Sequence, residues 1–281
     1  MYVDSLRQQI SGMGSSVGHA VDRLADIVRQ LGQRLEDSKD DFPKMHVNMR
    51  DLERLLLRGG QDAERFERLM NEFSTQELDR LNNLYCLWET KLEKRFVDHL
   101  QQEVVKHFVD YPLYARFERL IEREVSLLGG FIPRRVLFIG SGPMPITAFC
   151  LQHRLEVQID CLERSPDAIE ESNVVLKKLG FDNQIRVLQG FGEQVDASEY
   201  DVVLVALLAK PKYAILENLA RTGKDDLRIV CRTSEGSRCV FYEPTGMEMV
   251  PPELEMVKAA SAGIDDTISS VLLRKVKPCA G

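Results

Sequence analysis

Apolar positions are spaced in two different ways along this chain. Through the first 130 residues they recur at intervals of three and four, as in Leu52, Leu55 and Leu56 or Phe66, Leu69 and Phe73, within segments rich in Leu, Arg, Glu and Gln. That period puts apolar side chains on one face of a helix and predicts an all-helical N-terminal domain. Breaks are expected at Asp40 to Pro43, Gly59-Gly60, Ser74-Thr75 and Pro112. Past the junction at Gly129-Gly130 to Pro133 the pattern becomes short apolar runs: Val136 to Ile139, Glu156 to Glu163, Ile185 to Gln189, Tyr200 to Leu207 and Leu227 to Thr233. Helix-like segments separate them, one opened by Ser165-Pro166-Asp167 and closed by Gly180, another running from Pro211 to about Arg221. Five strands alternating with helices predict a parallel, doubly wound α/β sheet of Rossmann type. Val240 to Glu243 and Thr267 to Val276 are expected to complete it as an antiparallel pair. The expected division is residues 1–130, helical, and 131–281, Rossmann-like. The helical part reads either as a pocket and lid for the sheet's ligand or as a dimerisation or stability module, and a homodimer is compatible with it.

A doubly wound sheet binds ligands at the carboxyl ends of its strands. Those ends are Gly140 to Pro145, Glu163, Gly190 to Gly192, Ala206 to Ala209 and Arg232 to Ser234. The first holds the most informative run, Phe138-Ile139-Gly140-Ser141-Gly142-Pro143-Met144-Pro145-Ile146-Thr147. Gly140 and Gly142 can take positive φ and let a ligand approach the backbone, and the next helix's first N–H groups face its polar atoms. Dinucleotide site, S-adenosylmethionine site and structural turn compete. A dinucleotide fingerprint needs a small residue close to Pro145 so that helix and pyrophosphate can meet, which disfavours NAD. A cofactor without pyrophosphate needs no such approach, so Gly140, Ser141, Gly142, Pro143, Pro145 and Thr147 are candidate S-adenosylmethionine contacts, with Ala206 and Leu207 at the fourth strand's end. Glu163 lies 23 residues after Gly140, where its carboxylate can accept from both ribose hydroxyls, or serve as a solvated strand-end acid. Gly190 and Phe191 can flank an adenine, Phe191 being equally suited to the core. Arg232 can hold a substrate carboxylate in a bidentate pair or form a structural ion pair.

Composition narrows the class. Of 281 residues, 44% are hydrophobic and 29% charged, enough for a substantial core, and the net charge of −7 without a basic, aromatic-interleaved cluster argues against nucleic acid as the main partner. The amino terminus carries Asp4 and no apolar leader, and no run approaches eighteen apolar residues, so neither secretion nor membrane association is indicated and the cytoplasm is the default. The cysteines Cys86, Cys150, Cys161, Cys231, Cys239 and Cys279 form no CxxC pair and read as reduced thiols. Among His19, His46, His99, His107 and His153, His99 and His107 could share a helix face, but no metal-ligand spacing accompanies them. No metal is expected. GxSxG is absent, so nucleophilic hydrolysis is unsupported.

Three blocks, Phe138 to Thr147 (FIGSGPMPIT), Val205 to Lys212 (VALLAKPK) and Arg232 to Pro244 (RTSEGSRCVFYEP), together resemble the nicotianamine synthase family, including its bacterial staphylopine- and pseudopaline-type members. The resemblance spans about residues 75 to 276. It implies that S-adenosylmethionine donates its 3-amino-3-carboxypropyl (aminobutyrate) group to an amine, releasing methylthioadenosine. A sulfonium activates all three attached carbons, so the product depends on which carbon lies about 3 to 3.5 Å from the nucleophile, in line with sulfur. The acceptor amine must be neutral, which calls for a general base tuned toward neutrality. Glu93, within Glu89 to Phe96 (ETKLEKRF), resembles the family's active-site glutamate, with Glu89 one turn earlier as fallback; from the residues alone it reads as an exposed helix carboxylate. In Tyr111-Pro112-Leu113-Tyr114-Ala115-Arg116-Phe117-Glu118, Phe117 aligns with a tyrosine of the plant and archaeal enzymes, leaving Tyr114 or Tyr111 to orient the amine and Phe117 to line the substrate pocket. That departure fits the bacterial type: one transfer onto a free amino acid, histidine, with a separate opine dehydrogenase condensing the product with a 2-oxo acid. Successive transfers giving nicotianamine, ordinary methyl transfer and a non-catalytic S-adenosylmethionine-binding module are the alternatives. An Asn/Asp-Pro-Pro-Tyr motif after the fourth strand is absent, which removes one amino-methylating subgroup.

Overall fold

A computed structural model describes residues 17–58 and 63–276. Asp4, Gly59-Gly60 and Cys279 lie outside the described residues, as does the side chain of His19. The chain forms two compact units: one takes the chain through Leu92 with Ser234–Pro244 and Gly263–Thr267, the other Glu93–Thr233, Thr245–Ala262 and the chain from Ile268.

The first unit is helical, with α1 (Val17–Asp37), α2 (Phe42–Arg58), α3 (Ala63–Asn71) and α4 (Thr75–Gln101) as far as Leu92. The three-and-four spacing becomes buried stripes such as Leu24, Val28, Leu31 and Leu35 on α1. The expected break at Ser74 is a capping box, in which the Glu77 backbone N–H donates to Ser74 Oγ at 3.3 Å and the Ser74 N–H to Glu77 Oε2 at 2.8 Å. Tyr85 and Trp88 are fully buried, and Tyr85 donates its hydroxyl to buried Glu53 at 2.6 Å.

Ser234–Pro244 joins this helical core. Val240 to Glu243 is not the strand expected from sequence. Gly236–Val240 is a 3₁₀ turn, and Phe241 and Tyr242 both pack on Tyr85, with ring centroids 4.8 and 4.9 Å away. A strand would send these adjacent side chains to opposite faces, whereas here both are buried against one ring. Asn82 Nδ2 donates to the carbonyls of Cys239 and Val240 at 3.0 Å, fixing the turn.

The second unit carries a seven-stranded sheet of order β3-β2-β1-β4-β5-β7-β6. Its strands are β1 (Arg135–Ile139), β2 (Gln158–Glu163), β3 (Ile185–Gln189), β4 (Val202–Val205), β5 (Arg228–Thr233), β6 (Leu254–Ala260) and β7 (Ser269–Lys275). The first five are parallel, and β7 is antiparallel to both β5 and β6, so β6 is the partner that the sequence reading assigned to Val240 to Glu243. Helices α5 (Tyr114–Leu127), α6 (Ile146–Leu155), α7 (Pro166–Leu179) and α8 (Lys212–Thr222) accompany the strands. Ser165 caps α7, with Pro166 at its first position and Gly180, at φ 75°, ending it. β2 begins two residues later than expected because Glu156 closes α6 in the left-handed conformation. His99 belongs to α4 and His107 lies beyond its end, so the two share no helix face.

Chain order reverses at β1: β2 and β3 lie to one side, β4 and β5 to the other. Ile139 is level with Leu162 of β2 and Val205 of β4, so Gly140 opens the crevice at this switch point.

Candidate active site

Gly140 and Gly142 have φ of 85° and 66°, which side-chain-bearing residues avoid. A Cβ on Gly140 would stand 3.2 Å from Ala206 Cβ and 3.3 Å from Ala209 Cβ, so small residues after β4 face the turn after β1. A Cβ on Gly142 would stand 3.3 Å from Glu93 Oε2. The structure therefore brings half-buried Glu93, from α4, against the glycine turn. Pro143 and Pro145 are buried, and Pro145 is the N-cap of α6.

Glu163 ends β2 beside this turn. Its Oε2 accepts from the Gly142 N–H at 3.0 Å, and its Oε1 from the N–H groups of Arg164 and Ser165 at 2.9 and 3.0 Å. These backbone donors fix the carboxylate at the crevice and leave its remaining lone pairs for hydroxyl donors. Gly190 and Gly192 are closely packed: a Cβ would come within 2.8 Å of Leu162 Cδ1 and 2.9 Å of Ile139 Cγ2 respectively, so a side chain at either position would displace an aliphatic neighbour. Between them Phe191 is 48% exposed, which excludes the core reading of that ring. Two positive-φ glycines and a strand-end carboxylate thus stand together at the crevice where a doubly wound sheet takes its ligand.

After β4, the carbonyls of Ala206 and Leu207 accept from Lys212 Nζ at 2.5 and 3.2 Å. Lys212 is buried, a cation at the start of α8 where the helix dipole disfavours it, and its ammonium fixes the loop that faces Gly140. Nothing in the sequence around Lys212 marks this role, because its partners are backbone carbonyls.

Arg232 is 3% exposed, and its fork is filled by Glu124, with Nε to Oε1 at 2.9 Å and Nη2 to Oε2 at 3.0 Å. Its Nη1 donates to Thr147 Oγ1 at 3.0 Å, and Ser270 Oγ donates to Glu124 Oε1 at 2.7 Å. This is the geometry of the structural ion pair, and it also engages the Thr147 hydroxyl. Glu124 was missed in the sequence because it lies 108 residues from its partner.

Tyr114 donates its hydroxyl to Glu118 Oε1 at 2.9 Å. Burial and Glu118 push its pKa up to about 12, so it stays a neutral phenol. The Phe117 ring lies 6.4 Å from that of Tyr111, which is buried and packs edge-on against Phe96 at 5.4 Å. Phe96 is three residues after Glu93 on α4, so Tyr111 is the tyrosine brought to the helix of Glu93, while Tyr114 is directed at Glu118. Among the described residues no group of three or more His, Cys, Asp or Glu side chains could hold a metal ion, and no helix is long and apolar enough to cross a membrane.

Sheet order, glycine turn and strand-end acid together define a Rossmann-like, S-adenosylmethionine-binding α/β protein. The family model described as nicotianamine synthase protein matches residues 16–280, and the chain belongs to the nicotianamine synthase family. Among curated relatives, L-histidine 2-aminobutanoyltransferase of Yersinia pestis is 27% identical over 128 residues, covering 46% of this chain and 48% of its own length. Nicotianamine synthase 2 of Oryza sativa subsp. japonica is 27% identical over 222 residues, covering 72% of this chain and 68% of its own. The match to the bacterial relative thus spans about half of that protein. The crystal structure of MtNAS in complex with MTA and tNA superposes with a TM-score of 0.80 at 24% identity, covering 90% of this chain and 98% of MtNAS. A mutant of MtNAS in complex with S-adenosylmethionine gives 0.79 over the same shares. These likenesses establish the fold.

Proposed function

We propose that this enzyme transfers one 3-amino-3-carboxypropyl (aminobutyrate) group from S-adenosylmethionine to the amine of histidine, releasing methylthioadenosine, as a step in metallophore biosynthesis. The observation that carries this reading is the placement of Glu93 Oε2 over Gly142, which puts a carboxylate at the turn where the methionine arm would lie. Bound S-adenosylmethionine supplies a sulfonium whose attached carbons are open to displacement. Glu163 holds the ribose, Phe191 covers the adenine, and the positive-φ glycines let the methionine arm run close to the backbone. Glu93 accepts a proton from the incoming amine, so that its lone pair is free to attack the γ-carbon. Tyr111 or Tyr114 orients that amine, and Phe117 lines its pocket. The reading of the N-terminal 130 residues as the source of the acceptor pocket belongs to the same proposal, as does a cytoplasmic location ahead of a dehydrogenase that uses the product.

Histidine as acceptor is supported by the bacterial relative's activity, and a single transfer by phenylalanine at position 117. Successive transfer is the second reading, favoured by the longer match to the rice nicotianamine synthase. Mass spectrometry of products formed from S-adenosylmethionine with L-histidine, D-histidine or no acceptor separates them. A singly extended histidine is expected. A product carrying two or more aminobutyrate units, formed without histidine, would overturn the proposal in favour of nicotianamine-type condensation.

A further inference from the structure

Ser172 lies on α7, outside every motif in the sequence, and is fully buried. A serine inside a helix commonly returns its hydroxyl to the carbonyl four residues back, and Ser172 Oγ is 2.6 Å from the Ala168 oxygen. The same Oγ is 2.7 Å from the carbonyl oxygen of Gly142. A hydroxyl carries one hydrogen, so Ser172 shares it between the Ala168 and Gly142 carbonyls, and the Gly142 N–H donates to Glu163 Oε2 at 3.0 Å. On its open side Gly142 faces Glu93 Oε2. One glycine, with no side chain to wedge it and a φ of 66°, is pinned at its N–H by the acid of β2 and at its carbonyl by a hydroxyl of α7.

We propose that Ser172 is a positioning residue: its hydroxyl pins the carbonyl of Gly142 and so fixes the turn that receives S-adenosylmethionine at a set distance from Glu93. The part that concerns Glu93 rests on the function proposed above, whereas the part that concerns cofactor affinity does not. Loss of the hydroxyl leaves Gly142 held at its N–H alone, free to shift toward or away from Glu93. Displacements of about 1 Å between reacting groups cost up to about 10²-fold in rate.

The test compares S172A, S172C and S172T. Calorimetric titration with S-adenosylmethionine reads the turn, and single-turnover rate at saturating S-adenosylmethionine reads its spacing to the base. In S172A the dissociation constant is expected to rise about 5- to 10-fold and the saturated rate to fall about 10-fold. S172T, which keeps the hydroxyl, or S172C, which keeps a weak donor of similar size, restores both to within about threefold. Thermal midpoints of all three variants are measured alongside, so that a loss through packing is read separately from a loss at the turn. Wild-type affinity in S172A, or equal impairment of all three variants, would overturn the proposal. The function reading fails separately: if E93Q turns over normally, Glu93 is not the base, yet S172A must still lose affinity for S-adenosylmethionine. If S172A keeps that affinity, the pin is refuted whatever E93Q does.

Discussion

At Arg232 the guanidinium is occupied by Glu124 and Thr147, and the environment decides between its two sequence readings. Truncation to Ala strands Glu124 as a buried acid, which costs about 3 to 5 kcal/mol and lowers the thermal midpoint, with KM for the acceptor little changed in whatever folds. A large KM effect at unchanged midpoint would instead make Arg232 a substrate ligand. Glu93 is expected to behave in the opposite way: Glu93→Gln keeps S-adenosylmethionine binding and loses 10²-fold or more in turnover if it is the base. Near-normal turnover would move the role to Glu89. His46 offers a pH readout. The Trp88 indole N–H donates to His46 Nδ1 at 3.2 Å, so the ring must be neutral there, and burial, with Arg50, lowers its pKa. The unfolded chain then takes up the proton first, and stability falls as pH drops through about 6.5. Trp88 is the chain's single tryptophan. Its fluorescence-detected melting point should fall between about pH 7 and 5 in the wild type and not in His46→Asn; identical curves would exclude the bond's contribution.

β1, β2 and β3 are held at Asp160, which is buried in mid-β2 and accepts from Arg135 of β1, Arg186 of β3 and the Tyr200 hydroxyl, each at 2.8 to 2.9 Å. Burial opposes ionisation, but Arg186, Tyr200 and Arg135 outweigh it and hold the carboxyl below its ordinary range. A depressed acid stabilises fully above its unfolded pKa, about 3.9, and stops doing so as pH falls through its folded value. Acid unfolding monitored by circular dichroism should therefore steepen below about pH 4 and be flattened in Asp160→Asn; an unchanged acid limb would show that the network adds nothing. Elements of this sheet are readable in sequence because β1, β4 and β5 are buried on both faces and so appear as continuous apolar runs. β6 is not: its edge position leaves Glu255 to Ala259 exposed, and no apolar run marks it. Phe241-Tyr242 misleads for the converse reason, since a local aromatic pair looks like a strand when its partner is Tyr85, more than 150 residues away.

Across the molecule, the glycine turn and the acid of β2 are local in sequence and were therefore legible, while what surrounds them was assembled from distant segments. Ser172, Lys212 and Glu124 each act through a backbone carbonyl or a buried partner, contacts that leave no spacing rule behind. In the proposed transfer the chemistry turns on which carbon of the sulfonium the site presents. The direct test is a paired incubation with S-adenosylmethionine labelled in the methyl group or in the carboxypropyl chain, with histidine as acceptor. The site described here predicts label in the amino-acid product only from the carboxypropyl chain, with methylthioadenosine retaining the methyl label. Methyl label in the product, with adenosylhomocysteine as the nucleoside released, would contradict it.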